Sequence, residues 1–141
     1  MRVYQIENEP TRFRCESSSL ECPACAKLFP RLSSPKNALL RIGDSCPACG
    51  QATLDVRFHL VDVAVSHPVG RCTCEHYSFT LAPKIRKLPP GGLAELTQVQ
   101  ARNLRCSHIE AARTAAIDLT IYAHERERLA GAGRQTEENQ P

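Results

Sequence analysis

The sequence has few aromatic residues and no long apolar run. Aromatic side chains make up 5% of the 141 residues, tryptophan is missing and methionine occurs once, although 42% of the residues are apolar. We therefore expect a globular protein with a thin hydrophobic core. A membrane helix needs about 18 consecutive apolar residues, and the sequence has no run of that length, which excludes an integral membrane protein.

Residues 1–11 contain acidic side chains and lack the apolar region of a secretory signal. We therefore expect an intracellular, cytoplasmic location. Eight cysteines are present, and in a reducing compartment paired cysteines bind metal or carry out redox chemistry. We expect zinc, since a disulfide framework would require an export route that the sequence does not reveal.

The first candidate metal site consists of two Cys-Pro-Ala-Cys motifs, which supply Cys22, Cys25, Cys46 and Cys49. Two residues between cysteines let one tight turn direct both sulfur atoms at a single cation about 2.3 Å away, and two such turns complete a tetrahedron. Gly50 follows the second motif, where the cramped backbone favours a positive φ. With four sulfur ligands, this zinc is expected to be structural.

Two alternatives concern the first site. A redox Cys-x-x-Cys motif opens a helix in a βαβ unit, and the chain has two such motifs without that context. Cys15 lies seven residues before Cys22 and is an alternative ligand, although a small buried residue or free thiol is the simpler interpretation.

The second candidate site combines Cys72 and Cys74 with Cys106 and His108. Cysteines two apart on a strand present their sulfur atoms on one face, and the other pair lies at the entry to the predicted final helix. His59, His67 and His124 are interpreted as surface or turn residues.

The second site resembles a SWIM-type zinc finger. The resemblance covers about residues 56–122 and rests on segments 61–65, 70–74 and 106–113 together with Phe79. It implies a β-hairpin followed by a helix, with zinc bound by the four residues of the second site, and a role in DNA binding or protein docking. The 31 residues between Cys74 and Cys106 are more than the family usually has, and His76 is an alternative to His108 as ligand.

Hydrophobic periodicity gives the remaining elements. Short strands are predicted at 3–7 and 12–15 around a turn at 8–11. A further strand begins at 54 with Leu54, Val56, Phe58 and Leu60 on one face, and its phase slips at Leu60–Val61. Turns are predicted at 33–37 and 67–70, a loop or linker at 83–92 and a short helix at 93–104.

The final helix is predicted to begin at His108, where Ser107 and Glu110 form a capping-box pattern, and to end at Gly131 and Gly133. Its apolar stripe is expected to pack on the hairpin. The stripe consists of Ile109, Ala112, Ala116, Leu119 and Ala123.

Together these patterns predict a small α+β protein stabilised by two Zn²⁺ ions. We expect a β-rich zinc-ribbon-like module at 1–53, a SWIM-like hairpin-plus-helix module at 54–130 with a long insert at 75–105, and a disordered tail at 131–141.

Basic residues concentrate in the insert, with a local excess of four positive charges over residues 81–113. The candidate phosphate-binding residues are Lys84, Arg86, Lys87, Arg102 and Arg105. The alternative is a solvated loop that offsets the thiolate charge, since two zinc–thiolate centres reduce the formal net charge of +3 to zero.

We therefore expect a non-enzymatic accessory protein that binds nucleic acid, DNA more than RNA, or else a protein-docking adaptor in a larger assembly, with no small-molecule substrate. The least favoured alternative is a zinc hydrolase or deaminase. His108-x-Glu110 is similar to the deaminase His-x-Glu, but in deaminases the Cys-x-x-Cys motif follows it, and here both motifs precede it.

Overall fold

The computed structural model describes residues 1–30 and 40–134, so the predicted turn at 33–37 and the segment 135–141 lie outside the described residues. The α+β prediction is confirmed. The elements are β1 (Val3–Ile6), β2 (Glu9–Glu21), β3 (Leu28–Pro30), β4 (Asp55–Asp62), β5 (Arg71–Cys72), a π-helical turn (Tyr77–Leu81), α1 (Ala82–Arg86), α2 (Gln98–Asn103) and α3 (Ser107–Arg134).

The five strands form one antiparallel sheet in the order β1-β2-β4-β5, with β3 also paired to β2. The predicted hairpin of β1 and β2 is confirmed, with Val3 opposite Cys15. β2 is longer than predicted and also pairs with β4 from Arg12 to Glu21. One sheet therefore crosses the predicted boundary between residues 53 and 54.

A β-bulge interrupts the pairing of β2 with β4. Glu16 lies opposite Phe58 and Leu20 lies opposite Val56, so three serines of β2 face the single residue Arg57 of β4. The phase of β2 changes at this bulge: Phe13 and Cys15 are buried before it, and Leu20 is buried after it. The two halves of β2 therefore contribute to two different hydrophobic clusters.

The predicted phase slip at Leu60–Val61 is wrong. β4 runs without interruption from Asp55 to Asp62, with His59 and Val61 buried and Phe58 and Leu60 about 40% exposed. Phe58 lies on the outer face of the sheet, where its ring contacts Tyr4 edge to face at 6.2 Å. β4 has apolar residues on both faces, and in the sequence this arrangement gives the same pattern as a change of phase.

The predicted β4–β5 hairpin is confirmed, with Val61 paired to Cys72. Gly70 precedes β5 with φ +102°, and a Cβ atom there would lie 3.1 Å from Ile109 Cγ2. Only glycine lets the hairpin approach α3 this closely.

The predicted loop at 83–92 is wrong in its first part, because α1 continues the π-helical turn through Arg86. Pro83 is tolerated because it lies in the first turn of α1. The predicted helix at 93–104 is shorter than expected: α2 begins after Thr97, whose side chain forms a capping box with Gln100.

α3 begins at Ser107 and continues past Gly131 and Gly133, where the sequence predicted its end. Ile109 and Ala112 are buried against the sheet and Ala116 packs beside them, as predicted. Leu119, however, is 43% exposed, and residues 117–130 are exposed throughout. The predicted stripe therefore packs only over the first three turns of the helix. None of the helices within 1–30 and 40–134 has both the length and the apolar character required to cross a bilayer.

The core consists of two clusters, and each contains cysteines of one candidate metal site. Leu20 and Leu54 pack with Cys22 and Cys46 in the smaller cluster. The larger cluster packs the hairpin, the π-helical turn and α3 together. Its members are Phe13, Cys15, Val61, Cys72, Cys74, Tyr77, Leu81, Cys106, Ile109 and Ala112.

Candidate metal centres

The first centre lies where β2 ends. Cys22 follows β2 directly, and the structure brings it together with Cys25, Cys46 and Cys49 so that all four Sγ atoms lie within 4.8 Å of one another. The Sγ atoms of Cys22 and Cys49 are 3.6 Å apart, and those of Cys25 and Cys46 are 3.7 Å apart. Four sulfur atoms bound tetrahedrally at about 2.3 Å are about 3.8 Å apart, so this centre fits zinc.

The two turns of the first centre have the same backbone hydrogen bonds. Ala26 N donates to Cys22 O and Gly50 N donates to Cys46 O, both at 2.8 Å. Ala26 has φ +55° and Gly50 has φ +64°, which confirms the positive φ predicted at Gly50. Each turn therefore directs two sulfur atoms toward the same point.

The first centre also favours a cation electrostatically. Burial raises the pKa of Cys46, but the backbone N–H groups of Cys49 and Ala48, together with the thiols of Cys22 and Cys49, lower that pKa to about 6. For Cys25, a backbone hydrogen bond at Lys27 lowers the pKa, whereas burial and the neighbouring thiols raise it, to about 11 overall. One thiolate therefore forms readily, and a divalent cation would supply the positive charge that the others need.

The second centre lies between the hairpin and α3. Cys72 is the last residue of β5, Cys74 follows it by two residues, and Cys106 and His108 lie at the start of α3. Their ligand atoms lie within 4.8 Å of one another, and the three cysteines are buried. His76, the alternative ligand, is exposed and is not part of this cluster.

A nitrogen atom at the second centre indicates what the cluster binds. His108 Nδ1 is buried and has no hydrogen-bond partner within the described part of the chain. A buried polar atom without a partner is destabilising, and a metal ion would accept the lone pair of this nitrogen. Three sulfur atoms and one imidazole are a common ligand set for structural zinc, so the second centre also fits a zinc ion.

The sulfur atoms of the second centre share charge unequally. A hydrogen bond from Cys72 lowers the pKa of Cys106 to about 4, and the same contact raises the pKa of Cys72. Backbone N–H groups support the cluster as well: Cys74 N donates to Cys72 Sγ and Tyr77 N donates to Cys74 Sγ, both at 3.4 Å. These contacts orient the sulfur atoms in the way that outer groups orient metal ligands.

Cys15 lies near the second centre and not near the first. Its Sγ donates a hydrogen bond to His108 O at 3.5 Å, and its side chain is fully buried. Burial, followed by the nearby Cys106 and Cys74, raises its pKa to about 11. Cys15 belongs to neither cluster of ligand atoms and packs as a small buried residue.

The interpretation of His59 as a surface residue is wrong. His59 is 3% exposed, and its ring packs against the ring of His108. Burial, followed by the proximity of His108, lowers its pKa. His59 shares the inner face of β4 with Val61, two residues later, but the predicted phase slip at Leu60–Val61 separated the two residues.

The predicted basic residues lie on separate elements. Lys84, Arg86 and Lys87 are exposed in and after α1, and Arg102 is exposed on α2. Arg105 is different: its side chain is 12% exposed and connects the hairpin turn to α3. Its Nη2 donates to Pro68 O at 2.6 Å and its Nη1 to Glu110 at 3.0 Å. Glu110, predicted to cap α3, therefore binds Arg105.

No protein-family model, curated protein or solved structure matches the chain. The side-chain geometry alone therefore supports the two zinc centres.

Proposed function

We propose that the protein is a non-enzymatic zinc-binding accessory protein that binds nucleic acid through basic residues around the β4–β5 turn. Both centres have four protein ligands, and a tetrahedral zinc ion then has no position left for water or substrate. Zinc is accordingly structural in this proposal. It fixes the hairpin against α3, and that arrangement places the basic residues around the β4–β5 turn.

The observation that carries the proposal is the placement of cations on both sides of the β4–β5 turn. Arg71 and Arg86 line a cavity of about 540 Å³ that Val65 and Ser66 border. A second cavity, of about 530 Å³, is bordered by the next two residues of the turn, His67 and Pro68.

The second cavity has three cationic lining residues and one carboxylate. They are Arg102, Arg105, Arg113 and Glu110. Arg71 and Arg113 are not among the predicted phosphate-binding residues, because they lie outside the predicted insert at 75–105 and only the fold brings them to the turn. Positive charge gathered around one turn favours contact with phosphate groups.

The arrangement of the second centre also supports a SWIM-like module. A cysteine pair at the end of a hairpin and a Cys-x-His pair at the start of a helix contribute to one cluster, in the way that the resemblance implies. The resemblance is the reason for proposing DNA rather than RNA.

A salt titration of binding tests this proposal. We expect the full, zinc-loaded chain to shift a labelled 20-base-pair duplex at low ionic strength, with an affinity that falls as salt rises. Each phosphate contact contributes about 0.9 to the slope of log affinity against log salt. The Lys84/Arg86/Lys87→Ala variant should bind more weakly and with a smaller slope, whereas Arg128→Ala, at an exposed site of α3, should bind like the parent. No shift at low salt would refute nucleic-acid binding.

A protein-docking adaptor is the second candidate, and the exposed part of α3 favours it. Beyond residue 116 this helix has five large apolar residues that are 43–65% exposed: Ile117, Leu119, Ile121, Tyr122 and Leu129. A defined partner that co-purifies after nuclease treatment, and is lost in Ile121→Glu, would support the adaptor. Loss of the partner on nuclease treatment would contradict it.

A further inference from the structure

The cavity between α2 and α3 is lined by charged residues. Its volume of about 530 Å³ is within the range of about 300–1,000 Å³ that small-molecule sites occupy. α2 contributes Arg102 to its wall and α3 contributes Arg113, with Arg105 between them. The cavity is therefore large enough for one small ligand.

The charged residues of this cavity do not cancel. Glu110 pairs with Arg105 at 3.0 Å, which leaves Arg102 and Arg113 without an ion pair among the residues described by the structure. Burial, followed by the proximity of Arg105, lowers the pKa of Arg113. The protein thus holds like charges close together, and an anion of two charges would balance them.

Apolar side chains line the same cavity. Leu96 and Val99 precede or belong to α2, and Ile117 belongs to α3. Val99 is 71% exposed and Ile117 is 58% exposed, so both are accessible to a ligand. A ligand that matches the cavity therefore carries an anionic group and a second group with an apolar surface.

We infer that this cavity binds the terminal phosphomonoester of a nucleotide, with the base against Val99 and Ile117. A phosphomonoester carries a charge of about −1.5 to −2 at pH 7, which matches the two arginines without partners, whereas a backbone diester carries one charge. This inference rests on the proposed nucleic-acid binding and extends it, because it distinguishes the end of a strand from its interior. A free mononucleotide presents the same chemistry.

Binding of two matched oligonucleotides to the zinc-loaded full chain tests the inference. The probes are 3′-fluorescein-labelled dT12 with a 5′-phosphate and the same strand with a 5′-hydroxyl. We expect the phosphorylated strand to bind about tenfold more tightly. That preference should disappear in Arg102→Gln and Arg113→Gln and persist in Arg128→Gln, a matched change on the exposed part of α3. Circular dichroism and a count of two zinc ions check that each variant is folded.

The remaining outcomes separate this inference from the proposed function. Equal affinity of the parent for both strands overturns the inference and leaves nucleic-acid binding intact. If neither strand nor the 20-base-pair duplex binds but dTMP binds in calorimetry and Arg113→Gln abolishes it, the cavity assignment stands and nucleic-acid binding falls. If inorganic phosphate binds as tightly as dTMP, the base makes no contact and the nucleotide assignment is wrong. Failure of every probe to bind, the 20-base-pair duplex included, overturns both.

Discussion

The imidazole of His59 packs against the imidazole of His108, with ring centroids 4.6 Å apart and ring planes inclined by 60°. His108 belongs to the second metal centre, and His59 lies on the inner face of β4. A strand of the sheet thus positions a ligand that belongs to a helix.

Replacing His59 should therefore weaken the second zinc and spare the first. His59→Ala removes the ring that holds His108, and we expect affinity for one zinc to fall by about 10-fold to 100-fold, the usual cost of losing an outer-shell partner. His59→Phe keeps a ring of similar size and should retain most of the affinity. Competition with a chromophoric chelator measures both sites, and equal weakening by the two variants would contradict a packing role.

Each centre should bind one zinc ion, and replacing a ligand at one centre should leave the zinc ion of the other in place. Elemental analysis should find two zinc ions per chain in the parent, and about one in Cys46→Ser and in Cys106→Ser. Structural zinc contributes about 10–16 kcal/mol in small fingers, which is comparable to the typical 5–15 kcal/mol of a whole domain, so chelation should unfold the chain. A chain that stays folded after exhaustive chelation would contradict a structural role.

Cys15 offers the matched control for the ligand cysteines. Cys15→Ala should retain two zinc ions, because its sulfur contacts the carbonyl of His108 and belongs to neither cluster. Its buried side chain packs in the larger core cluster, so we expect the free energy of unfolding to fall by about 1 kcal/mol, typical of a single substitution. Loss of a zinc ion in this variant would show that Cys15 is a ligand after all.

Gly43 and Gly70 have similar positive φ values but different surroundings, so substitutions at these two glycines distinguish backbone strain from a packing clash. Gly43 has φ +89° and open space around it, whereas Gly70 has φ +102° and Ile109 Cγ2 3.1 Å from the position of a Cβ atom. Gly43→Ala should destabilise by about 1–2 kcal/mol, the cost of a left-handed conformation.

Gly70→Ala carries the same strain and a steric clash, which adds about 1–3 kcal/mol. Urea unfolding of the zinc-loaded variants gives the difference. Equal destabilisation by the two substitutions would show that the hairpin does not pack tightly on α3.

Local patterns predicted the metal ligands better than they predicted the sheet. Cys-x-x-Cys spacing is set by a single turn, so Cys22 and Cys25 could be paired without knowing the fold. His59 could not be placed in this way, because Phe58 and Leu60 are the apolar residues of β4 and yet lie on its outer face. Which face of β4 is buried depends on its pairing with β2, which is a long-range contact.

The helices show the same limit. Pro83 indicated a loop, but a proline in the first turn of a helix is tolerated, and α1 begins there.

The serines that follow Glu16 have no apolar alternation, so nothing in the sequence showed that β2 continues through them. The alternation of β4 and the alanine stripe at the start of α3 depend on near neighbours and could be predicted, whereas the extent of β2 depends on its pairing with β4.

β2 serves both metal centres, because Cys15 within it touches His108 and Cys22 directly after it binds at the first centre. Arrays of independent zinc fingers can gain or lose whole fingers, since each finger is a separate folding unit. In this protein neither centre can be exchanged or lost as a separate unit, because deleting residues 1–53 would remove β2, the strand that β4 pairs with. Any variation of this architecture through insertion must therefore fall in the connections between strands, and the two centres must be inherited together.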